Sequence, residues 1–273
     1  MSGHGIAEWF GEPFAAMSAG RRRALARPAL GRDAAPPCPF QPGHPPCRKR
    51  GGVCSIQAEG GEPAIVCPRR FEQNNLLPVW LARVAGFERV YAAREVPFMR
   101  NPDTGKAAGR IDLIVAGDPG ASKWYGLEVQ AVYFSGRGME SEFEALLAHD
   151  GPVPPAPTEF RRPDWRSSSA KRLMPQLEVK APTLGRWGTK LAVAIDWPFF
   201  AAIGGKSANP SQDLNDGDII WLVPRMGDDF RLCEHHFEVL SLEASSRKLL
   251  AAETVKRQEF EDALRSRLER LQT

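Results

Sequence analysis

The chain has 273 residues, of which 42% are hydrophobic and 25% charged, proportions typical of a globular protein that buries a core. Its 36 Lys and Arg residues against 33 Asp and Glu residues give a net charge of +3. This balance excludes a highly basic nucleic-acid coat protein but allows an enzyme with local basic patches. No run approaches the ~20 apolar residues that span a membrane, and the N-terminus lacks the pattern of a secretory signal, so a cytoplasmic location is expected.

In chain order, the first predicted element is a helix over 5–27, where apolar residues recur at helical spacing. An amphipathic helix over 71–85 follows, ending near Gly86. A C-terminal helix over 247–271 carries one apolar face. Strands are predicted at 88–98, 110–117, 124–134, 190–197 and 218–223. Strands and helices mixed in this order indicate an α/β or α+β domain.

Four of the five cysteines lie close together in the segment 36–68, which is poor in periodic apolar residues. They are Cys38, Cys47, Cys54 and Cys67. Four thiolates suit a tetrahedral zinc or iron site, and coordination would supply folding energy that the segment otherwise lacks. The spacing contains no C-x2-C pair, so four unligated cysteines in a loop is the alternative.

The segment 109–136 is predicted to form an antiparallel hairpin with its turn centred on Gly120. Residue i then pairs with 240 − i, which places Asp112 opposite Glu128. Because side chains alternate along a strand, Asp112, Glu128 and Gln130 share one face. The opposite face is apolar, formed by Ile111, Leu113, Val115, Leu127, Val129 and Ala131.

The convergence of two carboxylates and an amide on this hairpin needs a physical explanation. Two neighbouring carboxylates repel each other, and a hard divalent cation with oxygen ligands removes that repulsion. Mg2+ can also present a bound water to a scissile phosphate. The alternative is an ordinary polar face of a sheet, and a register slip of one residue would undo the pairing.

A basic segment follows the hairpin after a Pro-rich loop. Arginine side chains can donate two hydrogen bonds to one guanine base, and Ser and Lys side chains commonly contact DNA phosphates. The candidate DNA-contacting residues are Arg161, Arg162, Arg166, Ser167, Lys171 and Arg172. The alternative for this segment is a solvated basic loop.

Taken together, these motifs resemble the NotI-type restriction endonucleases of the PD-(D/E)xK nuclease superfamily. The resemblance is carried by GIAEWFGEPF, CPFQPG, CRKRGGVCSI, CPRRFEQNNLLPVW, REVPF, GRIDLIVAG, YGLEVQAVYFSG and RRPDWRSSSAKRLMPQLEVKAPTLGRWGTKLAVAIDWPFF. It implies a PD-(D/E)xK core with a mixed central sheet flanked by helices, over 71–273. A small N-terminal helix and four-cysteine module would occupy 1–70.

The resemblance also implies a homodimeric, Mg2+-dependent enzyme that cleaves duplex DNA, at a site expected to be a GC-rich palindrome. Asp112 and Glu128 match the family's metal-binding carboxylates, and Gln130 stands where the superfamily usually has lysine. Glu95 resembles an additional acidic residue on the preceding strand. The four cysteines match a four-cysteine structural metal site, with iron and zinc both open.

Two other functions fit parts of the sequence. One is a different Mg2+-dependent nuclease with the same core, of the repair or resolvase type. The other is a non-catalytic DNA-binding protein built around the four cysteines. The presence of Asp112, Glu128 and Gln130 together favours an enzyme.

Overall fold

The computed structural model describes residues 4–134, 138–157, 161–250 and 255–268. Its centre is a mixed six-stranded sheet formed by β5 (Tyr91–Arg100), β6 (Ala107–Ala116), β7 (Trp124–Val129), β10 (Leu191–Ala194), β11 (Ile219–Met226) and β12 (Leu232–Leu240). These strands lie in the order β12-β11-β10-β7-β6-β5. β10 runs parallel to both β7 and β11, and the other neighbours are antiparallel. The expected mixed sheet is confirmed.

Helices cover both faces of this sheet. Residues of α2, including Trp80 and Leu81, share a buried cluster with Leu127 and Leu222. On the opposite face, Leu177 of α5 belongs to a second buried cluster. The helices are α1 (Ala19–Ala29), α2 (Leu76–Val84), α3 (Glu140–Ala148), α4 (Trp165–Ser168), α5 (Met174–Arg186), α6 (Trp197–Ala202), α7 (Leu242–Leu250) and α8 (Arg257–Arg265). No helix within the described ranges has the length and apolar character needed to cross a membrane.

The predicted helix over 5–27 is wrong in its first half. A small sheet in the order β2-β1-β3-β4 is formed by β1 (Gly5–Trp9), β2 (Glu12–Pro13), β3 (Val53–Gln57) and β4 (Ala64–Ile65). The chain reverses at Gly11, whose φ of +85° suits a glycine. Helix α1 begins only after Ser18, whose side chain accepts a hydrogen bond from the Arg21 backbone N–H.

Other boundaries differ for local reasons. The predicted strand 190–197 ends at Ala194, because Asp196 caps α6 by accepting a hydrogen bond from Phe199 N. The predicted helix over 247–271 divides into α7 and α8, and parts of that prediction lie outside the described residues. Strand β12 was not predicted. A last pair of short strands, β8 (Tyr133–Phe134) and β9 (Pro163–Asp164), ties the end of the hairpin segment to the basic segment.

The N-terminal segment packs against the rest of the chain. One buried cluster contains Trp9 and Val53 together with Leu177 and Trp221, so apolar residues from both sides of residue 70 share a core. The division at residue 70 stays a prediction. A fully buried ion pair adds to the contact, because Arg70 Nε lies 2.7 Å from Glu8 Oε2.

We expect Glu8→Gln to lower the free energy of unfolding by about 3 kcal/mol, because the buried Arg70 would keep its charge without a carboxylate partner. Urea titration of the unfolding transition measures the change. Glu12→Gln is the matched control, since Glu12 pairs with Arg21 at the surface and should cost less than about 1 kcal/mol. Equal effects of the two substitutions would contradict the structural role of the buried pair.

Candidate active site

The hairpin formed by β6 and β7 has the predicted register. Leu113 pairs with Leu127, and the pairing continues to Ala116 with Trp124, so residue i lies opposite 240 − i. Asp112 precedes the first of these pairs, and its Oδ2 accepts a hydrogen bond of 2.9 Å from the backbone N–H of Val129. The carboxylate from β6 is therefore fixed at the end of β7, beside the residues that follow Glu128.

The two faces of the hairpin are both buried, which differs from a solvent-facing polar surface. Five of the six residues predicted to share an apolar face pack together in the buried cluster that includes α2. They are Leu113, Val115, Leu127, Val129 and Ala131. Ile111 was wrongly assigned, because it belongs to the cluster on the α5 side. Ile111 and Leu113 therefore pack on opposite faces of the sheet, although residues two apart in a regular strand share a face. Asp112 lies between them, at this irregular position.

Glu95 lies on β5 opposite this irregular position. Arg94 pairs with Leu113 and Val96 pairs with Ile111, so Glu95 is the residue across from Asp112. Its φ of +52° is left-handed, a conformation rare for a residue with a side chain. The half-exposed Glu95 carboxylate lies 4.0 Å from Arg69 Nη2. The structure thus brings together the two acidic residues predicted on neighbouring strands.

Glu128 is buried beneath helix α5, with 2% of its surface exposed. Its Oε1 lies 2.6 Å from the ammonium nitrogen of Lys180, which is also buried. Burial raises the pKa of Glu128 to about 7, with a further contribution from the negative charge of Asp112, while Lys180 opposes the shift. Burial likewise raises the pKa of Asp112. These shifts reflect two carboxylates held close together in a region with little water.

A cavity of about 270 Å³ opens beside these groups. Asp112, Glu95 and Gln130 line it, together with side chains from the segment that leads into α2, such as Arg69 and Glu72. The Gln130 side-chain amide donates a hydrogen bond to the carbonyl of Ala131, which leaves its oxygen as an acceptor. The arrangement offers a solvent-accessible space in which carboxylate and amide oxygens meet basic side chains.

Two carboxylates of this kind can hold a hard cation. Mg2+ is usually bound through one or two carboxylates, with waters and substrate phosphates filling its other positions. No group of three or more His, Cys, Asp or Glu side chains within the described residues is arranged to hold a metal ion. Asp112 and Glu128 are the two carboxylates here that could supply the protein's ligands to such an ion.

Lys180 is a site residue that sequence reasoning missed. It lies on α5 at a position where the neighbouring turns of the helix carry buried leucines: Leu173, Leu177 and Leu184. A lysine on such an apolar face needs a buried partner, and this pattern could have identified it. The helix over 174–186 was not predicted, because no element was assigned between the basic segment ending at Arg172 and the strand predicted from residue 190.

The four clustered cysteines are brought into one region. Cys38, Cys54 and Cys67 are buried and Cys47 is half-buried. Burial raises the pKa of Cys54, and the charges of Cys67 and Cys47 add to the increase. Cys233 is exposed and has no part in this group. The donor chemistry is that of a thiolate site, although the thiols do not form a coordination sphere as they stand in the described residues.

The basic segment 161–172 divides into interior and surface residues. Arg161 is 1% exposed and forms an ion pair with Glu142, so the expectation that it contacts DNA does not fit its position. The Ser167 backbone N–H donates to Asp164, the N-cap of α4. Four other candidates are exposed: Arg162, Arg166, Lys171 and Arg172.

Arg172 connects this segment with the cavity. Its guanidinium carbon lies 3.7 Å from the centre of the Tyr133 ring, a distance typical of a cation–π contact. Tyr133 itself lines the cavity that contains Asp112 and Gln130. The basic segment and the acidic site therefore meet at one surface.

The chain matches a family model described as restriction endonuclease NotI, over residues 22–238. The range includes the four clustered cysteines, Glu95, Asp112, Glu128, Gln130, Lys180 and the basic segment. No individually curated protein aligns with the chain at a significant level.

Proposed function

Because the chain belongs to the NotI restriction endonuclease family, whose members cleave DNA at specific sites, we propose that it hydrolyses phosphodiester bonds of duplex DNA with Mg2+ held by Asp112 and Glu128. The observation that carries this proposal is the closeness of two carboxylates: Asp112 lines the cavity, and its negative charge helps to raise the pKa of the buried Glu128. Asp112 is fixed by Val129 N–H, and Glu128 is fixed by Lys180. A PD-(D/E)xK core accommodates this arrangement on its central sheet.

The protein's own groups have separate tasks in this proposal. Mg2+ would supply the positive charge that lowers the pKa of a bound water and offsets charge on the phosphate. Asp112 and Glu128 provide the carboxylate oxygens, and Glu95 adds negative charge from the neighbouring strand. Gln130 orients the attacking water through hydrogen bonds, because a neutral amide cannot take up its proton. No side chain is assigned as a dedicated base.

DNA contact is proposed for the exposed residues Arg162, Arg166, Lys171 and Arg172, and for the partly buried Ser167 beside Arg166. The proximity of Arg172 to the cavity through Tyr133 supports it. Phosphate contacts from such residues fix the position of a duplex without reading its sequence. A homodimer acting on a GC-rich palindrome, as the family resemblance implies, completes the proposal.

Incubation of the purified chain with Mg2+ and plasmid DNA tests the function. Discrete, reproducible fragments with identical end sequences are the expected result. Smeared products or cuts confined to unusual DNA structures would indicate a different nuclease of the same core, and absence of cleavage would favour a non-catalytic DNA-binding protein. Sequencing the fragment ends gives the recognition site and the cut position.

A structural iron or zinc ion is proposed for Cys38, Cys47, Cys54 and Cys67. Its support is the gathering of four thiols in a segment with few apolar residues, where bound metal would stabilise the fold. We expect one metal ion per chain in metal analysis of the purified protein, falling toward zero in Cys67→Ser. Cys233→Ser is the control and should retain the metal, because Cys233 is exposed and remote from the group. A metal-free wild-type protein would contradict the site.

A further inference from the structure

The hairpin formed by β5 and β6 continues beyond the six-stranded sheet as a two-stranded ribbon. β6 pairs with β7 only from Leu113 onward, whereas its pairing with β5 extends back to Ala107 opposite Arg100. The ribbon is defined here as residues 96–111. All ten residues from 99 to 108 are exposed, so the far part of the ribbon projects into solvent.

The ribbon is ordered by its own hydrogen bonds and anchored at its base. The Asn101 side-chain oxygen accepts hydrogen bonds of 2.9 Å from the backbone N–H groups of Asp103 and Thr104. At the base, the Phe98 ring contacts Trp187 edge to face, with 5.6 Å between the ring centres. A preformed element of this kind loses little entropy when it binds a partner.

The shape of the ribbon suits a DNA groove. The major groove of B-DNA is about 12 Å wide and about 8.5 Å deep and admits a two-stranded β-ribbon. Strands lie about 4.8 Å apart and rise about 3.3 Å per residue, so the part beyond Phe98 is long enough to reach the groove floor. The run Ala107–Ala108–Gly109 keeps one strand nearly free of bulky side chains, which keeps the ribbon slim.

The charge of the ribbon and its position point to the same partner. It carries Arg100, Lys106 and Arg110 against one acidic residue, Asp103. Asp112 lies on the same strand, four residues beyond Ala108, a span of about 13 Å at about 3.3 Å per residue. A duplex whose backbone reaches the cavity would therefore present a groove within range of the ribbon.

We propose that the β5–β6 ribbon enters the major groove of the DNA bound at the catalytic cavity, with Arg100 and Lys106 contacting the duplex. The inference rests on the proposed function and names a DNA-contacting element separate from the basic segment 161–172. It assigns the contact with DNA to two surfaces, the ribbon and the basic segment.

The test compares Arg100→Gln/Lys106→Gln with Arg225→Gln/Arg231→Gln. The control pair removes two exposed arginines of the β11–β12 hairpin, at the opposite edge of the sheet. DNA binding is measured without Mg2+, on a duplex containing the site found by end sequencing. We expect the ribbon variant to bind at least tenfold more weakly than the control, with a salt slope smaller by about two.

A second measurement identifies the groove. Dimethyl sulfate methylates guanine N7, which lies in the major groove, so bound wild-type protein should protect guanines in the site and the ribbon variant should lose part of this protection. Binding by the ribbon variant within twofold of the control, or unchanged N7 protection, would overturn the inference. If the wild-type chain cleaves plasmid DNA, such a result contradicts the ribbon alone. If the wild-type chain neither cleaves nor binds DNA, the result contradicts the proposed function itself, and the ribbon inference falls with it.

Discussion

Asp112→Asn is expected to lower Mg2+-dependent DNA cleavage by about 10³-fold or more while leaving the fold and DNA binding intact. The substitution removes the negative charge from a proposed metal ligand, and metal-mediated stabilisation of several kcal/mol corresponds to a tenfold rate change per ~1.4 kcal/mol. An asparagine oxygen can still accept the hydrogen bond from Val129 N–H, so the end of β7 should keep its position. Plasmid cleavage rates at saturating Mg2+, with thermal unfolding as the folding check, measure the effect.

Asp118→Asn is the matched control for this substitution. Asp118 belongs to the turn of the same segment, where its carboxylate accepts hydrogen bonds from Gly120 N–H and Ser122 N–H. It is partly exposed and six residues along the chain from Asp112, so its loss of charge should change cleavage by less than a few fold. Cleavage by Asp112→Asn at the rate of this control would remove Asp112 from the proposed metal site.

Lys180→Met is expected to shift the acidic limb of the cleavage pH profile to higher pH. The pKa of Glu128 is already raised to about 7 by burial, and Lys180 is the positive charge that opposes this shift. Without that charge the pKa rises further, so a smaller fraction of Glu128 is ionised at pH 7 and less can bind Mg2+. We expect cleavage at pH 7 to fall about tenfold or more and to recover partly near pH 9.

The direction of the shift distinguishes a positioning role from a loss of packing. Lys180→Arg keeps a positive charge and should bring the pH profile back toward that of the wild type. Arg186→Met is the control on the same helix, because Arg186 is exposed and its guanidinium donates a hydrogen bond to the nearby Thr183 hydroxyl. A Lys180→Met variant that stays folded with an unshifted profile would contradict the role of Lys180.

Local patterns in the sequence were sufficient for the hairpin and its register. The turn residues around Gly120 and the alternating apolar positions define which residues lie opposite each other, and the observed pairing of Leu113 with Leu127 agrees. The helix ending near Gly86 was also predictable, because its apolar spacing and the glycine at its end are local signals. Both features depend on residues close together in the chain.

Features that depend on distant residues were not predictable in this way. Ile6, Trp9 and Phe10 have helical spacing, yet β1 forms because β3 pairs with it across more than forty residues of chain. Ile111 packs on the face opposite to the one that strand alternation predicts. Arg161 is buried, where it forms an ion pair with Glu142. Tertiary packing overrides local preference at each of these positions.

The composition and charge of the chain left room for an enzyme acting on nucleic acid, and the sequence by itself determined the register of the β6–β7 hairpin and located the basic segment. Only the tertiary structure decided that Glu128 is buried and paired with Lys180, and that the β5–β6 hairpin projects beyond the sheet. The physical reason is that pairing within a hairpin follows from neighbouring residues, whereas burial and charge pairing depend on which distant helix or strand packs against it.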